Sequence, residues 1–169
     1  MDVLFVNPGN SKQIYQGLAD DYSAIETPTW SLLLAQSCRS VGYSVGILDV
    51  LAERLTDEQA TERISTINPK FICFVVYGQN PNSGTVNMSG TVKLAKAIKD
   101  ANIKTPIGLV GSHVQALPIE VLETEKDIDI IFTNEGVYSL WNLLSKDVTD
   151  IDQLKKVKGI GFCINDAPH

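Results

Sequence analysis

Phe71-Ile72-Cys73-Phe74-Val75-Val76-Tyr77 is apolar from end to end. A strand with one wet face alternates apolar and polar side chains, so an unbroken apolar run reads as a central strand buried on both faces. Four further short runs share its character: Val3–Val6, Val45–Val50, Ile107–Val110 and Ile128–Phe132. Each is closed by a small or polar residue and followed by a helix-like stretch. Strand-then-helix repetition at this spacing predicts an open parallel sheet covered on both faces. Ligands of such sheets bind outside the carboxyl ends of the strands, where the connectivity reverses. Function is therefore expected in five loops.

With 169 residues, 44% of them hydrophobic, the chain is long enough to bury a full core, and no apolar run reaches the length of a membrane span. Met1-Asp2 leads directly into a strand without a basic leader, which predicts a cytoplasmic protein. A net charge of −6 without any basic cluster argues against nucleic acid or an anionic membrane as partner. Cys38, Cys73 and Cys163 are isolated, fall on apolar faces and lack metal-ligand spacing, so they read as reduced core thiols.

The segments between strands carry helix signals. Thr27 suits an N-cap, Pro28 the first helical position and Gly42 a left-handed C-terminal residue. Trp30, Leu33, Leu34, Cys38 and Val41 recur between them at helical spacing and predict the face turned to the sheet. Thr56-Asp57-Glu58-Gln59 is a capping box, and Asn68-Pro69 stops the helix it opens. Gly78 to Gly90 reads as a small, polar loop before a helix bearing Leu94, Ala95, Ile98 and Ala101. Pro118 opens a short helix through Ile119 and Leu122, and Val137, Leu140, Trp141 and Leu144 form another. Beyond Val148, Ile160, Phe162 and Ile164 alternate with Gly161, Cys163 and Asn165, predicting one strand that enters an Asn-Asp turn. The chain ends at Ala167-Pro168-His169, where a returning strand is expected; a lone terminal strand is poorly stabilised. The pattern divides the chain into a domain over residues 1–147 and a linker over 148–169, either an ordinary tail or a cut from a longer protein.

Several chemistries fail on their motifs. There is no Gly-x-x-x-x-Gly-Lys phosphate loop, and the dinucleotide position after the first strand reads Asn7-Pro8-Gly9-Asn10-Ser11. The acidic residues of a phosphoacceptor domain are replaced by Asn7 and Tyr77-Gly78, and no nucleophile elbow supports a triad of Ser112, His113 and Asp49. What remains is a rim of small, neutral, hydrogen-bonding residues, suited to a large and largely uncharged cofactor. Asp49 reads as a cap on the turn after the second strand, and Glu135 as a helix-capping carboxylate or, less, a cofactor contact. Trp30 and Trp141 read as core, and Tyr77 stands evenly between core and ligand wall.

Thr27-Pro28-Thr29-Trp30-Ser31-Leu32-Leu33-Leu34-Ala35, continuing through Val41-Gly42-Tyr43-Ser44-Val45 to Leu48-Asp49, resembles the N-terminal cobalamin-binding domain of B12-dependent radical SAM enzymes. Val110-Gly111-Ser112-His113-Val114-Gln115-Ala116-Leu117-Pro118 is similar to that family's glycine-histidine loop and following proline. Asp127-Ile128-Asp129-Ile130-Ile131 through Asn134-Glu135-Gly136 is similar to its Asp-strand-Gly-Glu-Gly segment, and Val157-Lys158-Gly159-Ile160 to the linker hairpin before the radical SAM barrel. Asn134 stands where the family usually has glycine, and Val137 where a second acidic residue is common. There is no Cys-x-x-x-Cys-x-x-Cys, and no Asp-x-His-x-x-Gly after the first strand.

The resemblance implies a flavodoxin-like fold, five parallel strands in the order 2-1-3-4-5 with helices on both faces. It implies cobalamin held base-off, without a histidine beneath cobalt, an arrangement that favours methyl transfer. The corrin would lie across the carboxyl edge of the sheet, bordered by Asn7, Pro8, Gly9 and Asn10 and by Thr27, Pro28, Thr29 and Trp30. The nucleotide tail would enter between sheet and helices, lined by Tyr77, Gly78, Gly111, Ser112, His113, Val114, Asn134, Glu135 and Gly136. The iron–sulfur cluster, SAM and the catalytic barrel would belong to the rest of a parent methyltransferase, this chain binding without catalysing. His113 is read as a local or cofactor-bonding loop histidine in preference to a cobalt ligand. A flavin-binding protein using the same crevice and a cofactor-free interaction domain are the alternatives.

Overall fold

The computed structural model describes residues 1–9, 25–77 and 81–169. Its parallel strands are β1 (Val3–Asn7), β2 (Val45–Asp49), β3 (Ile72–Val76), β4 (Ile107–Gly111) and β5 (Ile130–Phe132). They lie in the order β2-β1-β3-β4-β5, as expected, and all run the same way. All five residues of β3 are buried, as an apolar central strand requires. One core layer gathers Leu4, Val6, Phe74 and Leu109, and the other Phe5, Cys73, Val75 and Val110, so alternate strand residues serve opposite faces.

Among the described residues the sheet has seven strands rather than five. β6 (Ile160–Ile164) pairs antiparallel with β5, and β7 (Ala167–Pro168) returns antiparallel along β6. The expected lone strand therefore has a partner on each side. Asn165 and Asp166 both have positive φ (50° and 64°), the geometry of a tight hairpin turn whose twist matches its strands. His169 extends the ladder, exchanging both backbone hydrogen bonds with Phe162 at 2.8 and 3.1 Å.

Helix α1 (Thr29–Ser40) begins one residue later than the sequence suggests. The Thr27 carbonyl is taken by the Thr29 amide at 2.7 Å, and the first helical acceptor is Pro28, bonded by Leu32 at 3.0 Å. Its buried face is Ser31, Leu34, Ala35 and Cys38. The predicted Trp30, Leu33 and Val41 are instead 40%, 57% and 46% exposed. Small residues on the inner side let the helix approach the sheet closely, and the bulky ones turn outward. Helix α2 (Asp57–Ile67) is closed by the expected capping box, with Gln59 N to Thr56 Oγ1 at 3.3 Å and Thr56 N to Gln59 Oε1 at 3.0 Å.

Helix α3 runs from Pro81 to Asp100, so most of the supposed loop up to Gly90 is helical. Glycine, serine and asparagine are poor helix formers, each costing up to about 1 kcal/mol against alanine, and tertiary packing overrides them. Met88 and Thr91 carry the buried face of Leu94, Ala95 and Ile98 back into that stretch. Helix α4 (Ser112–Ala116) starts directly at the end of β4, where a loop was expected. Helices α5 (Pro118–Thr124), α6 (Val137–Leu144) and α7 (Ile151–Leu154) complete the layers. Among the described residues no helix is long and apolar enough to cross a membrane.

Candidate functional site

Because β1 to β5 are parallel, their carboxyl ends share one edge, and Asn7, Tyr77, Ser112 and Asn134 follow from it. Asn10 and Gly78, two of the predicted site residues, lie outside the described residues. At the end of β1, Asn7 Nδ2 donates to Asp49 Oδ1 at 2.9 Å, and the same oxygen takes the Ala52 amide at 3.0 Å. Asp49 thus caps the turn after β2, as read from the sequence, and fixes Asn7 beside it. Gly9 approaches Val50 and Leu51 at ordinary contact distance.

The centre of the edge is aromatic. Trp30, which the sequence places in the core, instead stacks on Tyr77 with ring centroids 4.5 Å apart and 27° between planes. Such a pair is worth about 0.5–1.5 kcal/mol beyond the area it buries. Tyr77 accepts a hydrogen bond at its hydroxyl from Gln115 Nε2 at 2.7 Å. Burial, reinforced by the Glu135 carboxylate, pushes the Tyr77 phenol up to about 12. The rim therefore ties the start of α1 to the end of β3, and β3 to α4.

At the end of β4, a Cβ on Gly111 would stand 2.9 Å from the Val76 carbonyl carbon and closer still to its oxygen. Glycine is required there by the approach of the neighbouring strand, since its φ of 168° is open to any residue. His113 Nδ1 lies 3.1 Å from Thr85 Oγ1, which binds α4 to α3. This is the local hydrogen bond favoured for His113 over cobalt ligation. Val114 is fully buried among Phe74, Leu94 and Leu109 in the core.

After β5, Asn134 Oδ1 accepts the Gly136 amide at 2.8 Å, and Asn134 Nδ2 donates to Ser139 Oγ at 3.2 Å. Ser139 Oγ in turn donates to the Lys158 carbonyl at 2.9 Å, and Thr133 N to the Gly159 carbonyl at 3.0 Å. Gly136 is the N-cap of α6, and the helix has no side-chain cap, so Glu135 does not fill the capping role proposed for it. The shorter Asn134, one residue earlier, takes the turn's amide instead. Asn134→Ala is expected to lower stability by about 1–2 kcal/mol, since it leaves the part-buried Gly136 amide without its acceptor. Urea unfolding measures this, and an unchanged midpoint would contradict the bracket role.

Three contributors to the rim were not singled out from the sequence: Gln115, Thr85 and Ser31. Ser31 left a readable signal, a hydroxyl at helical spacing from Leu34, Ala35 and Cys38. Gln115 and Thr85 left none, because their partners are distant in the chain. A large ligand with a polar tail needs unsatisfied polar atoms at this edge, and the hydroxyls of Ser31 and Ser112 are buried without a partner among the described residues. The residues present fit such a group. A separate groove of about 440 Å³, lined by Glu58, Thr61, Glu62, Ser65, Thr66, Ala97, Ala101 and Ile103, lies between α2 and the far end of α3 and includes no rim residue.

Residues 15–143 match the family described as the B12 binding domain. A search of curated proteins finds no match. Among solved structures, the chain resembles the radical S-adenosylmethionine methyltransferase TsrM from Kitasatospora setae, solved with cobalamin and a [4Fe-4S] cluster bound. The TM-score is 0.73 at 15% identity, over 99% of this chain and 30% of that one. It also resembles OxsB, a cobalamin-dependent S-adenosylmethionine radical enzyme solved with aqua-cobalamin and S-adenosylmethionine, at TM-score 0.64 and 17% identity, over 99% of this chain and 21% of that one. These likenesses establish a shared flavodoxin-like fold, and the chain spans less than a third of either neighbour's length.

Proposed function

The chain belongs to the B12-binding domain family, and from that membership we propose that it holds cobalamin across the carboxyl edge of its parallel sheet. The observation that carries the reading is the coincidence of rim and match: residues 15–143 include the start of α1, Tyr77, Gly111–Val114 and Asn134–Gly136. The nucleotide tail enters the slot between the sheet and helices α1 and α6. Asn7, Pro8, Gly9 and Thr27 to Trp30 border the corrin.

The cofactor is held base-off, with no histidine beneath cobalt. Two histidines in the whole sequence support this. His113 is paired with Thr85, and His169 sits edge-on to Phe162 with ring centroids 5.2 Å apart, at the end of the terminal hairpin. Bound cobalamin would supply cobalt chemistry suited to methyl transfer. The chain's own contribution is position, exclusion of water and an open lower face.

Residues 1–147 hold the cofactor in this reading, and residues 148–169 lead toward a radical SAM module of a parent methyltransferase. The iron–sulfur cluster and SAM belong to that module, which acts in the cytoplasm. The share of TsrM and OxsB that the chain spans supports a larger parent.

Electron paramagnetic resonance of the loaded protein, reduced to the cob(II) state, tests the coordination. No nitrogen splitting on the cobalt signal is expected. A triplet from one axial nitrogen would contradict the base-off reading.

A further inference from the structure

Helix α1 is held unevenly along its length. Toward its end, Trp141 Nε1 donates to Ser37 Oγ at 3.0 Å, and the Tyr43 hydroxyl just beyond the helix donates to the Trp141 carbonyl at 3.0 Å, so α6 grips it through both ring and backbone. Leu34, Ala35 and Cys38 add buried contacts with the core layer of Val75, Val110 and Leu140. The first turn has less to hold it. Pro28 stands at the N-cap and makes no side-chain cap, and the first amides of any helix lack intrahelical acceptors. This turn meets the end of β3 through the Trp30–Tyr77 stack.

The two rings of that stack differ in freedom. Tyr77 follows directly on β3, all of whose residues are buried, and its hydroxyl is held by Gln115 Nε2 at 2.7 Å, so the ring is fixed at both ends. Trp30 is 40% exposed and sits on the weakly held turn. Helix ends and exposed side chains are the parts of a fold that open first. Tyr77 is therefore the fixed ring and Trp30 the one able to move. An aromatic pair of this kind biases an equilibrium about two- to twelvefold, enough to keep an open form in the minority while leaving it within thermal reach. On the inner side of the same turn Ser31 is only 1% exposed, so with the rings together that face is closed to solvent.

We infer that Trp30 and Tyr77 form a gate at the carboxyl edge: the stacked rings close the passage between the start of α1 and the end of β3, and Trp30 swings off Tyr77 to admit the cofactor. The inference rests on the cobalamin reading above and adds to it the step that limits loading. A gate open for only a fraction of the time lowers the apparent rate of binding by that fraction.

Stopped-flow absorbance with hydroxocobalamin reads the association rate constant. Trp30→Ala and Tyr77→Leu should each raise it about three- to tenfold, the share of time returned to the open form. The double variant should be no faster than the faster single one, because both substitutions remove the same contact. Rates unchanged or lowered in both single variants would overturn the inference, as would increases that multiply in the double variant. Circular dichroism identifies a variant that has not folded. Trp30→Phe, which keeps a smaller ring on Tyr77, then takes its place, with about a twofold increase expected and no increase overturning the gate. If the parent chain takes up no corrinoid, the cobalamin reading itself fails, an outcome distinct from these.

Discussion

Replacing Phe74 with alanine should destabilise the domain by about 3–5 kcal/mol, a large part of the 5–15 kcal/mol typical of a folded domain. Phe74 is fully buried in the middle of β3, paired in register with Val6 of β1 and Leu109 of β4. Its ring fills the layer beneath α2 and α3 with Leu94, Ile98 and Ile64. A strand hydrogen-bonded on both sides cannot shift to close the cavity, so little of the loss is recovered by relaxation. Phe74→Leu, which keeps most of the volume, should cost less than about 1.5 kcal/mol. Urea unfolding of the two variants measures both values, and an alanine variant within about 1 kcal/mol of the parent would mean that β3 is not the centre of the core.

Gly111→Ala should have the next largest effect, about 2–3 kcal/mol, from a single added methyl group. The new Cβ would press on the Val76 peptide, 2.9 Å from its carbonyl carbon. Backbone in a paired strand has no rotamer to yield, so β3 and β4 must part at their carboxyl ends. Tyr77 and Ser112 ride on those ends, and corrinoid binding is expected to fall with stability. Gly9→Ala is the control: its Cβ would meet Val50 and Leu51 at 3.4 to 3.6 Å, ordinary contact, and the cost should stay within about 0.5 kcal/mol. Equal midpoints for the two variants would contradict the close-approach explanation.

The framework was legible where one residue pattern has one solution. Seven consecutive apolar residues ending at Tyr77 could only serve a strand buried on both faces, and the capping box at Thr56 opens α2 as read. Patterns with two solutions were misread. Large apolar residues at helical spacing pointed to Trp30 and Leu33 as the inner face of α1, but the sheet accepts the smaller Ser31, Ala35 and Cys38. Glycine, serine and asparagine before Gly90 look like a loop, and packing holds them in α3. Strand β6, read as unpartnered, has the two-residue β7 beside it, too short to leave a pattern of its own in the sequence. At the rim, Asp49 caps its turn as its local sequence suggests. The Trp30–Tyr77 stack and the pairing of Thr85 with His113 join residues 47 and 28 positions apart, and no local signal encodes them. Asn134 accepts the Gly136 amide and donates to Ser139, two bonds that a glycine at this position could not make.

The central claim is that this chain holds cobalamin at the edge formed by β1, β3, β4 and β5. The most direct measurement is to mix the purified chain with hydroxocobalamin, remove free ligand by gel filtration and record the visible spectrum of the protein fraction. Corrin absorbance co-eluting at about one equivalent per chain, shifted to the base-off form, is the predicted result. A colourless protein fraction would contradict it.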